Sequence, residues 1–182
     1  MSHTAESVLA EAAQAAFTVR DALESELGAV RELTLAAYRE YAQIMEPTSW
    51  EGLSYAVGAA METPLAAHRI VAVSRGEIIG SVMLFPAAAD AYRGATELVP
   101  WPELRLLAVA PLARGMGVGQ RLVEEVVRRA RVSGAPALGL HTSRSMQAGI
   151  RMYERLGFVR DPAHDFHGEG NEVVLAYRLA LT

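Results

Sequence analysis

The sequence has 182 residues, of which 51% are hydrophobic and 21% charged, and its formal net charge at pH 7 is −4. This composition is typical of a globular protein, the length is that of one domain, and the mildly acidic charge argues against a nucleic-acid partner. Because the sequence contains no cysteine, disulfides, zinc–thiolate sites and a cysteine nucleophile are excluded.

The N-terminal residues 1–16 are rich in alanine and glutamate. They predict a short helix or a frayed extension in front of a single domain that occupies residues 17–182. The N-terminus lacks a basic segment followed by an apolar core, and no apolar run reaches the roughly 18–20 residues needed to span a bilayer. We therefore expect a cytoplasmic protein without a membrane partner.

The first part of the domain predicts one strand and two helices. Residues 17–20 have the composition of a strand. Ser25 is a candidate N-cap for a helix over residues 26–41, in which apolar side chains recur at helical spacing. Pro47 interrupts this pattern, and a second, weaker helix is expected over residues 50–63.

A β-hairpin is predicted next. Residues 69–74 and 77–85 are rich in β-branched and apolar side chains and are separated only by Arg75 and Gly76. Two residues, one of them glycine, are the length of a tight hairpin turn, so the two strands are expected to pair antiparallel. Residues 86–102 show no regular pattern and predict a long loop that forms one wall of a site.

The most informative stretch is an apolar strand, a glycine-rich turn and a helix. Residues 104–110 are apolar on both faces apart from Arg105, as expected for an interior strand. A helix follows over residues 117–132, and residues 137–141 predict a short strand. A strand, a helix and a strand in this order imply a parallel pair of strands joined by a right-handed crossover.

The C-terminal part predicts a helix, a polar loop and a final strand. Ser143 or Ser145 is expected to cap the helix, which ends at Gly157. The loop covers residues 161–171, and residues 172–181 predict an edge or paired strand. Four loop side chains have loose metal-ligand spacing, but a solvated loop is the favoured interpretation because a helical pair and cysteines are absent. These four are His164, Asp165, His167 and Glu169.

The glycine-rich turn from Arg114 to Gly119 is of a kind that binds phosphates, because its backbone bends freely and the N–H groups of the following helix point toward it. A nucleoside-triphosphate loop requires Lys-Ser/Thr after the last glycine, whereas Gly119 is followed by Gln120 and Arg121. A dinucleotide fingerprint requires a third glycine where Gln120 stands. Both of these nucleotide loops are therefore disfavoured.

Two motifs follow the apolar strand, and they are Arg114-x-x-Gly117-x-Gly119 and Tyr153-x-x-x-Gly157-Phe158. In both motifs, and in the order of the elements around them, the sequence resembles the Gcn5-related N-acetyltransferases. The resemblance is sharp over residues 103–158 and extends by the order of elements to residues 17–85. It implies an α/β (α+β) fold with a mixed, mostly antiparallel central sheet, a splayed pair of parallel strands and flanking helices.

The resemblance also implies that acetyl-CoA is the co-substrate and that the reaction needs no metal. Backbone N–H groups of the turn would hold the coenzyme pyrophosphate, and the pantetheine amides would pair with the preceding strand at Leu107 and Val109. The residues implied for the pyrophosphate are Arg114, Gly115, Gly117, Val118, Gly119 and Gln120.

Acyl transfer from a thioester to an amine needs a base, a donor to the carbonyl oxygen and an acid. By the resemblance, Tyr153 is the acid that protonates the leaving thiolate, Glu103 is the base, acting directly or through water, and the N–H of Val109 is the donor. His141 is an alternative base, although packing or a backbone hydrogen bond is its favoured role. Met146 stands where many relatives have an asparagine, and methionine cannot make that hydrogen bond.

The expected function is acetyl transfer from acetyl-CoA to a small-molecule or peptide amine, by direct attack in a ternary complex. The alternative is a non-catalytic acyl-CoA-binding sensor or partner-binding module of the same fold, and a homodimer is left open. Acidic and aromatic side chains are expected to line the acceptor site and to favour a cationic or primary amine. They are Tyr38, Tyr41, Glu46, Trp50, Glu51, Asp90, Trp101, Asp165 and Glu169.

Overall fold

The computed structural model describes residues 16–64, 68–90, 94, 96–168 and 172–182, so the predicted extension lies outside the described residues apart from residue 16. These residues contain an eight-stranded arrangement in which seven strands follow the order β1-β2-β3-β4-β5-β8-β6 and β7 pairs with β8. The strands are β1 (Thr18–Asp21), β2 (His68–Ser74), β3 (Glu77–Phe85), β4 (Glu103–Val109), β5 (Ala137–Thr142), β6 (Val159–Arg160), β7 (Phe166–His167) and β8 (Val173–Ala180).

Only β4 and β5 pair parallel among the described strands, and the other pairs are antiparallel. The described residues also form four α-helices, with β4 leading through α3 to β5 as the sequence predicts. The predicted fold class, a mostly antiparallel sheet with one parallel pair and flanking helices, is therefore confirmed. The helices are α1 (Leu27–Arg39), α2 (Pro47–Glu62), α3 (Val118–Val132) and α4 (Gln147–Arg155).

The hairpin between β2 and β3 also forms as predicted, with Ser74 opposite Glu77. Its two turn residues, Arg75 and Gly76, both have positive φ angles, of 50° and 83°. A two-residue turn with this geometry matches the right-handed twist of the strands that it joins. Glycine adopts such an angle at no steric cost, which explains the choice of residue at the second position.

Three predicted helix starts are wrong. The second helix begins at Pro47 and not at residue 50, because a proline at the first helical position lacks only an N–H that the helix does not use. Ser25 lies in a short 3-10 turn, and the N-cap of α1 is Glu26. The N-cap of α4 is Met146 and neither Ser143 nor Ser145, and the hydroxyl of Ser143 instead donates to Glu172.

The helices cover the sheet in two layers. Helix α3 packs on one face, where the larger core cluster contains Ile70, Val82, Leu104, Leu122 and Val126. On the other face a smaller cluster joins α2 to β3 and β4 and contains Val57, Ala60, Met83, Phe85 and Leu106. The layers fix both faces of β4, the strand from which the site is built.

The predicted polar loop over residues 161–171 is more structured than expected. Its described part contains a 3-10 turn, Pro162–His164, and the two-residue strand β7, which pairs with β8. Strand β8 itself lies between β5 and β6, so it is a paired strand inside the sheet. Within the described ranges, no helix combines the length and the apolarity that crossing a membrane requires.

Candidate active site

A bulge in β4 opens the sheet at its centre. Leu106 has a φ angle of 53°, which is unusual for a residue other than glycine, and the register between β3 and β4 shifts next to it. Strand β4 pairs with β5 only at two positions, Glu103 with Gly139 and Leu104 with Leu140. Beyond Leu104 the two parallel strands separate, as the resemblance implied.

The open edge of β4 presents backbone groups at Leu107 and Val109. The N–H of Ala110 donates to the carbonyl of Ile79 on β3 at 2.9 Å. Because successive strand residues direct their N–H and C=O groups to opposite edges, those of Val109 face the side from which β5 has diverged. The same alternation directs Leu107 to that edge, so both predicted pantetheine positions have backbone groups available for a ligand.

The glycine-rich turn lies at the N-terminus of α3. Gly117 is the N-cap residue, its φ angle is 78°, and the helix has no side-chain cap. Gly115 also has a positive φ angle, of 77°, and a Cβ added at either glycine would meet no atom within 4 Å. The first N–H groups of a helix have no partner inside it and carry a partial positive charge, so those of Val118, Gly119 and Gln120 can bind an anion.

Arg114 in this turn forms an ion pair with Glu40, which directly follows α1. Nη2 of Arg114 lies 2.8 Å from Oε2 of Glu40, and both side chains are about half exposed, at 49% and 47%. Glu40 begins the 3-10 turn that follows α1. The guanidinium is therefore held at the mouth of the turn, where it can add positive charge.

Tyr153 is buried on α4, with 7% of its surface exposed, and its ring packs edge-to-face on Phe158 at 5.8 Å. Burial raises the pKa of its phenol above the usual value, and the neighbouring Tyr38 and Tyr41 raise it further. The phenol therefore keeps its proton at neutral pH. Tyr153 does not itself line the large cleft described below, although Tyr38 does.

The structure brings together the two residues that the sequence offered as bases. Nδ1 of His141 lies 3.2 Å from Oε1 of Glu103, and the two side chains are only 4% and 7% exposed. Nε2 of His141 lies 3.0 Å from the carbonyl oxygen of His164, which is the backbone hydrogen bond expected for it. Phe166 packs edge-to-face on the imidazole at 5.1 Å. A carboxylate and an imidazole in contact can share and store a proton.

Trp101 closes the far side of this pair. Its ring packs against His164 at 5.3 Å, and the guanidinium of Arg178 lies 5.0 Å from the ring centre. The indole nitrogen would be 2.7 Å from a Cβ added to Gly139, so this glycine permits the close approach. A cavity of about 10 Å³ between Trp101 and the pair is about the size of one water molecule.

A cleft of about 1250 Å³ lies between α2, the bulge of β4, the end of β5 and β7. His141, Arg105 and Met146 line this cleft, whereas Glu103 lies behind His141 and lines only the small cavity. Of the residues expected at the acceptor site, Tyr38 and Asp90 line the cleft and Glu169 lies outside the described residues. The other six are not among its lining residues, and Trp101 lines the small cavity instead.

Sequence reasoning missed Arg105 as a cleft residue. The signal was present, because Arg105 is the only charged residue between Leu104 and Ala110 in an otherwise apolar strand. Its residue surface is only 9% exposed, and its guanidinium carbon lies 5.4 Å from the ring centre of Phe85, which also lines the cleft.

Two of the polar loop side chains, His164 and Asp165, bind charged side chains close to them in sequence. His164 contacts Asp161 at 3.0 Å, and Asp165 binds Arg160 in a two-bonded ion pair that keeps the pKa of its carboxyl low. Within the described part of the chain, no group of three or more histidines and carboxylates is arranged to hold a metal ion.

Comparison with known proteins gives one family and many similar folds. A model of the acetyltransferase (GNAT) family matches residues 27–158. A GNAT family acetyltransferase from Brucella melitensis, solved with acetyl-CoA, is 20% identical, with 91% of this chain and 88% of that chain covered and a TM-score of 0.62. A GNAT family acetyltransferase from Streptococcus agalactiae is 14% identical, with 90% and 95% covered and a TM-score of 0.67.

A third solved structure has a named acceptor. The ribosomal-protein-S18-alanine N-acetyltransferase from Escherichia coli is 18% identical, with 91% of this chain and 94% of that chain covered and a TM-score of 0.61. At these identities the three likenesses show the fold. No match was found among curated protein sequences.

Proposed function

This chain belongs to the acetyltransferase (GNAT) family, and from that premise we propose that it transfers an acetyl group from acetyl-CoA to an amine. The observation that carries the proposal is the meeting of two backbone binding sites, the open edge of β4 and the uncapped N-terminus of α3. An added Cβ at Gly119 would lie 3.5 Å from side-chain atoms of both Val109 and Met152, so the two sites are adjacent.

The residues present fit the co-substrate. The pyrophosphate would be held by backbone N–H groups at the start of α3 and by the side chain of Arg114, and the pantetheine by Leu107 and Val109. When bound, acetyl-CoA supplies a thioester, whose reaction with an amine forms a carbon–nitrogen bond, breaks the carbon–sulfur bond and leaves a thiol. The pyrophosphate residues proposed are Arg114, Gly115, Gly117, Val118, Gly119 and Gln120.

Two side-chain groups would move the protons. An acceptor that enters as an ammonium first loses one proton to solvent, and a second proton leaves its nitrogen as the amide forms. We assign this second proton to Glu103 and His141, because their shared contact can hold it and His141 lines the cleft. Tyr153 gives its phenolic proton to the sulfur, because burial keeps this phenol protonated. Both groups then exchange protons with solvent.

The N–H of Val109 is our candidate donor to the carbonyl oxygen, since it faces the open edge of β4. The chain has no cysteine that could carry the acyl group. We therefore propose direct transfer in a ternary complex.

The test is release of free thiol from acetyl-CoA, measured with a panel of amino acids, amino acid amides, polyamines and peptides. Acceptor-dependent thiol release is expected with at least one amine, together with a rise in the melting temperature on adding coenzyme A. Coenzyme binding without thiol release from any acceptor would instead favour a non-catalytic acyl-CoA-binding module.

Tyr153→Phe tests the acid. We expect a fall in kcat of at least ~100-fold, the lower end of what general acid catalysis contributes. Tyr177→Phe is the matched control, because Tyr177 is also buried but its hydroxyl binds Glu154. A rate for Tyr153→Phe within a factor of two of the wild type would show that the acid is another group.

Glu103→Gln and His141→Gln test the base. Both should lower kcat/KM by about 100-fold or more, because each removes one of the two groups that receive the proton of the amine. A value of kcat/KM within a factor of two of the wild type in both variants would contradict the assignment.

A further inference from the structure

We propose that the acceptor is a free amino acid, a primary amine with its carboxylate close by, and that Arg105 binds the carboxylate. This proposal rests on the proposed transferase function and names the substrate class of its acceptor site.

Arg105 lines the cleft. It lies on β4 two residues after Glu103, and alternation along the strand places both side chains on the same face of the sheet. Their Cα atoms are therefore about 6–7 Å apart. An amine that binds in the cleft beside His141 would have a carboxylate on its α-carbon within range of the guanidinium.

The surroundings of Arg105 favour an anion. The guanidinium lies over the ring of Phe85, and Tyr38 lines the same cleft as Arg105. Among the described residues that line the cleft, Arg105 is the only arginine or lysine. An arginine has five N–H donors in a planar fork, and this geometry matches the two oxygen atoms of a carboxylate.

The acidic residues at the cleft are already engaged elsewhere. Glu62 forms an ion pair with Arg31 at 3.0 Å, and its side chain is 71% exposed. Asp90 accepts a hydrogen bond from the N–H of Gly94 at 2.7 Å, and Glu172 accepts one from Ser143. Among the described residues that line the cleft, Arg105 is therefore a buried positive charge, whereas the acids lie at exposed positions or bind protein groups.

The remaining walls are apolar and define the side chain that fits. Leu53, Val57 and Met146 line the cleft with Phe85 and Phe166. Apolar walls stabilise an apolar or aromatic side chain through the hydrophobic effect. We therefore expect leucine, methionine or phenylalanine to be better acceptors than charged amino acids.

The experiment compares L-leucine, L-methionine and L-phenylalanine with their amides, which keep the amine and the side chain but lack the carboxylate. In the wild type, kcat/KM for the acids should exceed that for the amides by about 10- to 100-fold, the value of a charge-assisted hydrogen bond. A carboxylate makes the neighbouring amine more basic and so leaves less of it free. A preference for the acids must therefore come from binding.

Arg105→Gln should lower kcat/KM for the acids to the level of the amides and leave the amides within about twofold. Arg128→Gln is the control, because it removes the same charge from a side chain of α3 that is 61% exposed. If Arg105→Gln does not fold, Arg105→Lys keeps the charge but not the fork, and the acid preference should fall about tenfold. Equal turnover of acids and amides by the wild type, or an equal loss of both in Arg105→Gln, would overturn the proposal.

Calorimetry separates this proposal from the transferase proposal. The protein saturated with coenzyme A, which has no acetyl group, is titrated with each amino acid and its amide. Tighter binding of the acids that is lost in Arg105→Gln supports the proposal even if no acceptor is turned over. Turnover of polyamines or peptides without binding of amino acids would leave the transferase standing and refute the carboxylate site, and so would no difference in binding between acids and amides.

Discussion

Gly139→Ala tests the geometry around the Glu103–His141 pair. The added Cβ would lie 2.7 Å from the indole nitrogen of Trp101 and 3.1 Å from its Cδ1. Because carbon contacts are optimal at about 3.5–4.0 Å, the indole must move by about 1 Å. Its ring is confined between the side chains of Arg178 and His164. Because the carbonyl oxygen of His164 is hydrogen-bonded to Nε2 of His141, the displacement is transmitted to the Glu103–His141 pair.

Two quantities should change in this variant. Overpacking of this kind costs about 1–3 kcal/mol, which for a chain of this length lowers the melting temperature by about 2–12 °C. A displacement of about 1 Å at a catalytic group can lower the rate by about 100-fold, so we expect kcat/KM to fall by about 10- to 100-fold. Calorimetric unfolding and thiol release measure the two effects on the same preparation.

A second substitution and a control make the test specific. Trp101→Phe in the Gly139→Ala background removes the colliding part of the ring and should restore most of the stability. Gly28→Ala is the control, because a Cβ there meets no atom within 4 Å and alanine favours a helix by about 0.5–1 kcal/mol. If Gly139→Ala changes neither the melting temperature nor kcat/KM, the indole does not hold the pair as described.

Tyr153, Glu125 and Gly117 support three further predictions. Because the pKa of Tyr153 is raised in the folded state, the phenol of the unfolded chain ionises first above pH ~10, and the stability of the fold decreases as pH rises further. Tyr153→Phe should therefore raise the pH midpoint of alkaline unfolding, measured by circular dichroism. An unchanged midpoint would contradict this. Hydrogen bonds from Arg128 and, to a smaller extent, Arg129 lower the pKa of Glu125 from 4.5 to about 2. The ionised carboxylate therefore stabilises the folded state above pH 4.5, and this stabilisation is lost as pH falls toward 2. In Glu125→Gln the melting temperature should change less with pH between 4.5 and about 2 than in the wild type. An equally steep dependence on pH in both proteins would refute this prediction. Gly117→Ala places a Cβ on a residue in the left-handed conformation, which costs about 1–2 kcal/mol. The turn should then be distorted and bind coenzyme A more weakly, as measured by calorimetry. Unchanged affinity would show that the turn is not the phosphate site.

The elements around the site could be predicted from local patterns. The hairpin at Arg75 and Gly76 and the crossover through α3 depend on neighbours in sequence, and both form as predicted. Pro47 was misread because proline both ends a helix and begins one, and only the chain on either side decides between the two.

The arrangement of the site could be predicted only in part, because it depends on contacts between distant segments. Glu103 and His141 were separate candidates, and their contact follows from the register that places Gly139 opposite Glu103. The bulge at Leu106 has no sequence signal, since leucine rarely adopts a positive φ angle. Ser143 had the expected composition of a cap, but Glu172 arrives from the end of the chain and takes its hydroxyl.

The two residue pairs between β4 and β5 have a consequence for hydrogen exchange. The amides of Leu107 and Val109 belong to a strand in the middle of the sheet, where slow exchange is the rule, yet no strand of the described residues pairs with their outward N–H groups. They should exchange with deuterium as fast as the amides of an edge strand, while Leu104, three and five positions away from them, stays protected by the strands on both sides. Coenzyme A would supply the missing partner, so its arrival should be visible as slow exchange at the centre of the sheet rather than at its rim.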